Sequence, residues 1–169
     1  MKNTTKATLI ALSATFALAA LPLHAQEAVV GAPDAEALFK SKDPKLNRNK
    51  QAAYHIMKEL LECNYWQDAG KYLTQKYIQH NPNAKSGLEG VVYYFTQVAK
   101  RTPAASCPEK LNTKIVSVVA EGDYVVVITP RMYKDPKDPT KDYYTSWFDQ
   151  WRFVDGKADE HWDGALKSN

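Results

Sequence analysis

Glycine is sparse in this chain of 169 residues, with seven in all, and none of them gathers into a glycine-rich phosphate loop. A phosphate cradle of that kind is therefore not expected. Serine, cysteine and histidine are present, yet no recognisable nucleophile motif surrounds any of them. An excess of either charge is also missing. The chain has 22 Lys and Arg against 19 Asp and Glu, and without Lys2 and Lys6 of the amino-terminal leader described below the balance is 20 against 19, or +1. Near-neutrality speaks against nucleic acid or a membrane surface as partner. After Leu23 no apolar run approaches the roughly 20 residues that span a bilayer. Cysteine is limited to Cys63 and Cys107, 44 positions apart. In an oxidising compartment the two form a disulfide worth about 3 to 4 kcal/mol if the geometry allows it; two separate buried thiols are the alternative. Sequence does not show whether the alpha carbons come within reach.

What is present begins with MKNTTKATLIALSATFALAALPLHA, which has two lysines, an apolar run from Ala7 to Leu23 and a small residue at Ala25. This is the pattern of a secretory signal peptide, residues 1–25, with cleavage expected after Ala25. Pro22 and the lack of basic residues beyond it speak against an uncleaved anchor. The expected mature protein is soluble and exported, periplasmic or secreted, and its 144 residues suit one domain. Residues 26–46 mix small, charged and proline residues and read as a leader or linker, leaving 47–169 as the folded domain. A helix is expected from Asn47 to Asn64, with Ala52, Ala53, Ile56, Met57, Leu60 and Leu61 on one stripe and His55 near its edge. A shorter one covers Trp66 to Leu73. Tyr77 to Pro82 runs extended into a bend, since proline disfavours helix just before it. Ser86 and Glu89 have capping-box spacing and open a third helix that runs to about Arg101. Strands follow: Lys114–Ala120, Tyr124–Tyr133 and a final hairpin, with the proline-rich, charged stretch 134–142 as an exposed loop.

Helices first and antiparallel strands afterwards is the layout of an α+β domain, with three helices packed on a curved antiparallel or mixed sheet that encloses a hollow. The final hairpin, Trp147 to Asp163, turns at Asp155-Gly156. A two-residue loop pairs Val154 with Lys157 and puts His161 and Asp163 on the opposite side from Asp149. A three-residue loop with a bulge at Gly156 pairs Phe153 with Lys157, so that Asp149 faces His161 and Trp147 faces Asp163. The second register is the expected one. In it Trp147, Asp149, Trp151 and Phe153 share a face with Asp159, His161 and Asp163, an aromatic wall holding acids and an imidazole, which suits a pocket lining.

The run Tyr77-Ile78-Gln79-His80-Asn81-Pro82, the helix opening Gly87-Leu88-Glu89-Gly90, the stretch Glu121 to Val126, and Phe148-Asp149 through Arg152 to Glu160-His161-Trp162-Asp163 resemble the SnoaL-like polyketide cyclase group of the nuclear transport factor two-like superfamily. The resemblance spans about residues 47–166 in order. It implies a pocket inside a cone and acid/base chemistry without metal or cofactor, with Asp163 as base, His161 as its neighbour, and Asp149 and His80 as further pocket groups. Gly164, the pair Ala158-Asp159 and the long 134–142 loop depart from the family pattern, and export does not suit a polyketide substrate, since polyketide assembly is cytoplasmic.

Two readings of function follow. One is an exported, cofactor-independent cyclase, isomerase or dehydratase that acts next to a carbonyl, with Asp163, His161, Asp149 and His80 as catalytic candidates and Trp147, Trp151, Phe153 and Asn81 as ligand-binding candidates. The other is a binding module for a small apolar molecule; a dimerising domain is a further alternative, with Tyr144, Phe148 and Trp162 on its outer face, and a homodimer is the expected assembly. Blander roles compete residue by residue. His161 and Asp149 can be a cross-strand pair, Arg152 and Glu160 a surface ion pair on the other face, and His80 a turn cap. A metal site of His80, His161 and Asp163 is weighed and not adopted.

Overall fold

Asp43-Pro44 starts the first long helix in the computed structural model of the protein, in which residues 27–168 are described. The expected signal peptide and its cleavage point lie outside the described residues. Helix α1 (Ala35–Leu38) is a single turn capped by Asp34. Helix α2 (Pro44–His55) begins three residues before the expected Asn47, because the Asp43 carboxylate accepts the Leu46 amide at 2.8 Å and Pro44 takes the first helical position, where a missing N–H costs nothing. The stretch 26–46 is therefore more than a linker. Phe39 within it is fully buried, and the Ala32 amide donates to the Ile115 carbonyl at 2.7 Å.

Helix α2 continues into wider π-type turns over Ile56–Glu62, and a 3-10 segment, Trp66–Lys71, follows. Strand β1 (Leu73–Gln79) comes next, where the sequence reading had only an extended approach to a bend. Helix α3 (Leu88–Tyr93) also passes into π-type turns, Tyr94–Val98. Its expected capping box does not form. Gly87, at φ 89°, occupies the cap position, and the Ser86 hydroxyl instead accepts the Gln79 amide at 3.0 Å, fastening the loop to the end of β1. The remaining strands are β2 (Ser117–Glu121), β3 (Tyr124–Lys134), β4 (Asp142–Val154) and β5 (Lys157–Trp162). Together they form one five-stranded sheet in the order β1-β5-β4-β3-β2. It is mixed, because β1 pairs parallel with β5 while the other neighbours are antiparallel. The fold is α+β, with Ala53 of α2 and Ile56 and Leu60 of the turns that continue it packed in one core with Val125, Val127, Trp151 and Phe153 of the sheet.

The β4–β5 hairpin follows neither register considered from sequence. Asp155 and Gly156 both have positive φ, 49° and 80°, which is the primed two-residue turn whose twist matches the strands it joins. Val154 accordingly pairs with Lys157 and Phe153 with Ala158. A bulge then intervenes, and the ladder resumes with Arg152 opposite Glu160 and Trp151 opposite His161, leaving Asp159 as the extra residue. Asp159 is thereby turned off the expected face. Its carboxylate bonds Thr74 and Arg152 instead. His161 keeps the side that the expected register assigned to it.

Cys63 and Cys107 are joined in a disulfide with their alpha carbons 5.6 Å apart, well inside bridging range. The bridge ties the loop after α3 to the end of the first long helix. Glu62, beside it, accepts the Thr113 amide at 2.7 Å and the Asn112 amide at 3.1 Å. Among the described residues no helix is long and apolar enough to cross a membrane.

Candidate functional site

Alternation along each strand sends every second side chain to the face that meets the helices. On β3 these are Val125, Val127, Thr129 and Arg131, and their partners on β4 are Trp151, Asp149, Trp147 and Thr145. From β1 come Tyr77 and Gln79, and from the end of β5 come His161 and Asp163. Between this face and the helices lies a hollow of about 560 Å³, lined on the sheet side by Tyr77, Gln79, Arg131, Trp147, Asp149, Trp151, His161 and Asp163 and on the helical side by residues that include Leu60, Trp66 and Phe95. Trp151 connects it to the buried core, where Val125 and Ala158 are at 0 % and Phe153 at 2 % exposure.

His161 is the centre of the polar groups. Its ring lies between Tyr77 and Trp151, with centroids 6.4 and 5.3 Å away. Gln79 Oε1 accepts the Asn81 amide at 3.0 Å, which identifies it as the oxygen end of the side-chain amide. His161 Nδ1, 2.8 Å from the same oxygen, must therefore be the N–H donor. Nε2 then faces Asp149 Oδ1 at 3.1 Å. Two opposed lone pairs would repel, so one proton lies between them, and Asp149 with His161 forms a buried dyad that shares it. Asp163 stands beside the dyad, with Oδ2 accepting from Asn81 Nδ2 at 2.7 Å and Oδ1 from the Ala165 amide at 2.9 Å. One potential ligand atom from each of Asp149, His161 and Asp163 falls within 4.8 Å of the others. These three are the residues that could hold a cation, which would have to displace the dyad proton from Nε2.

Tyr77 supplies a further donor. Its oxygen accepts from Trp151 Nε1 at 3.2 Å, a bond that uses a lone pair and leaves the phenolic hydrogen to donate elsewhere. Burial pushes its pKa well above that of an ordinary phenol, and Asp149 and Asp163 add to the effect, so it remains a neutral O–H. On the opposite wall Trp66 Nε1 is buried and has no protein partner among the described residues.

No protein-family model matches the sequence, and no curated protein matches it. Solved structures do match. A protein from Jannaschia sp. CCS1 taken to be a SnoaL-like polyketide cyclase aligns over 74% of this chain and 91% of its own, at 14% identity and a TM-score of 0.52. One from Acidithiobacillus ferrooxidans, taken to be a polyketide cyclase, aligns over 73% and 89%, at 18% identity and a TM-score of 0.51. The fold is that of the SnoaL-like, nuclear transport factor two-like proteins. Identities this low carry the fold and nothing of the chemistry.

Within the SnoaL-like fold, the expected residues divide. Asp149, His161, Asp163, Asn81, Trp147 and Trp151 all border the hollow. Phe153 does not, being packed into the core. His80 does not either. Its Nε2 lies 2.9 Å from Glu160 Oε1 and its ring stacks on Trp162 at 4.9 Å, on the outer face, so it is removed from the pocket set. Arg152 and Glu160 are paired on that same face, as expected. Sequence reasoning passed over Gln79, Tyr77, Trp66 and Arg131. Reading Leu73–Gln79 as a strand would have found the first two, because Tyr77 and Gln79 alternate with Ile78 and must share a side.

Proposed function

We propose that the protein is an exported, cofactor-independent enzyme that moves a proton at a carbon next to a carbonyl, in the manner of an isomerase, dehydratase or cyclase. The observation that carries the reading is the convergence of the Asp149–His161 dyad and the Asp163 carboxylate on one aromatic hollow. Asp163 is the base. Its orientation by Asn81 and the Ala165 amide presents it beside the dyad, and it takes a proton from the substrate carbon while the electron pair moves to the carbonyl oxygen. The Tyr77 O–H donates to that oxygen as charge builds on it, and the dyad carries the proton that restores neutrality. Gln79 acts through His161, holding the tautomer in which Nε2 faces the acid. Support for export comes from the Cys63–Cys107 bridge, a bond that suits an oxidising compartment.

The test does not require the natural substrate. The protein is incubated in D₂O with 2-acetonaphthone and with 1-tetralone, and deuterium uptake at the carbon beside the carbonyl is read by NMR. Uptake above the buffer rate is expected, falling about 10²- to 10⁴-fold in Asp163→Asn, with the fold unchanged by circular dichroism. Exchange at the buffer rate for both ketones, or full exchange in the variant, overturns the reading.

A further inference from the structure

We infer that the hollow takes a flat aromatic molecule carrying an anionic oxygen group, such as a carboxylate, and that Arg131 holds this group. The inference rests on the reading of the hollow as a small-molecule site and names the class of molecule. Arg131 is on the inward side of β3, two residues beyond the fully buried Thr129, and borders the hollow in a half-buried position. Among the described residues its guanidinium has no carboxylate within ion-pair distance. Its contacts are the carbonyl of its own neighbour Pro130, at a long 3.4 Å, and the Trp147 ring, whose centroid lies 5.9 Å from Cζ. A guanidinium carries five donors, and one long backbone contact leaves most of them without a protein partner among the described residues. Arg152, by contrast, is bonded to both Asp159 and Glu160.

The acids that border the hollow are committed elsewhere. Asp149 is tied to His161, Asp163 to Asn81 and Ala165, and Glu62 to Asn112 and Thr113. None neutralises Arg131, so the unmatched positive charge belongs to whatever enters. The Trp147 ring also holds the guanidinium in place by a cation–π contact, so little freedom is lost when an anion arrives.

Distance and shape set the rest of the class. Asp149 and Thr145, the β4 partner of Arg131, are four residues apart, which is about 13 Å of strand at about 3.3 Å per residue. The arginine leans back over Trp147, which shortens that span. The walls fit a planar body, since Trp66 and Phe95 stack at 3.7 Å on the helical side and Trp147 faces in from the sheet. A ring system with its acid group on Arg131 places its far end beside Asp149, Asp163 and Tyr77.

Two probes of equal shape separate charge from shape: 2-naphthoate and its neutral amide, 2-naphthamide. Titration by calorimetry is expected to give at least about tenfold tighter binding of the acid, since a charged hydrogen-bonded contact is worth that much. Arg131→Gln is expected to bring the acid down to the level of the amide, and Arg131→Lys to recover part of the preference, both with unchanged circular dichroism and melting temperature. Equal affinity of acid and amide in the wild type, or a preference that survives in Arg131→Gln, overturns the assignment while leaving the small-molecule site standing. Binding of neither probe removes both.

Discussion

Arg152 and its neighbours show how a single side chain sets the acid response of the outer face. Its Nε donates to Glu160 at 2.9 Å and its other arm bonds Asp159. The Thr74 hydroxyl, and after it Arg152, holds the Asp159 carboxyl below the usual carboxylate range, and His80 followed by Arg152 does the same for Glu160. Carboxyls lowered in the folded state contribute stability that is complete above their ordinary pKa of about 4 and is lost as the pH falls through the folded values. Arg152→Gln is therefore expected to cost about 1 to 2 kcal/mol at pH 7, with the gap from wild type closing below about pH 4. Urea unfolding at pH 7, 5 and 3 reads it, and a gap that does not change with pH would refute the attribution. At this scale the sequence was most easily misread at His80. Histidine attracts a catalytic reading because it titrates near neutrality, but adjacent strand residues point to opposite sides, and the pleat that turns Gln79 inward turns His80 out. Glutamine has no chemistry that advertises itself, so its part in fixing the His161 tautomer emerges only once the Asn81 amide is seen on the same oxygen.

Among the elements, the hairpin that carries His161 and Asp163 owes its usefulness to one extra residue. Asp159 fills the bulge between the turn and the paired stretch Arg152–Glu160, and without it the two-residue turn would carry His161 and Asp163 to the outer face. Deleting Asp159 is expected to leave a folded hairpin whose His161, 6 % exposed in the wild type, reacts readily with diethyl pyrocarbonate, with ketone exchange lost. Continued protection of His161 would mean that the turn had slipped to keep the old register. The parity of the two strands was legible, because aromatic and acidic residues alternate from Trp147 to Phe153. The location of the extra residue was not. Ala158-Asp159-Glu160 carries no local mark of a bulge, whereas Asp155-Gly156 carries a clear mark of a turn, and the irregularity was therefore expected at the glycine. Strand β1 was missed for a related reason: its partner is β5, more than 80 residues away, and a parallel edge strand with exposed Gln75 and Lys76 leaves a weak pattern.

At the scale of the whole molecule, one covalent link ties the loop after α3 to the end of the first long helix. Cys63–Cys107 closes a loop of 44 positions, and its reduction is expected to lower unfolding stability by about 4 kcal/mol through the freed chain entropy. Denaturant unfolding with and without dithiothreitol measures this, and a loss below about 1 kcal/mol would show that Glu62 and the packing of Leu111 and Ile115 secure the loop unaided. Apart from β1, which interrupts the helices, the order of helices and strands was readable from periodicity, and the SnoaL-like arrangement from the run of motifs along the chain, because both are local patterns. The hollow itself was not, since it depends on contacts between residues far apart in the chain. Phe153, Val125 and Ala158 are fully buried in the core that the hollow shares with Trp151. If the hollow is the site of turnover, a product that keeps its acid group on Arg131 competes with the next molecule for the same place, and its accumulation slows the reaction.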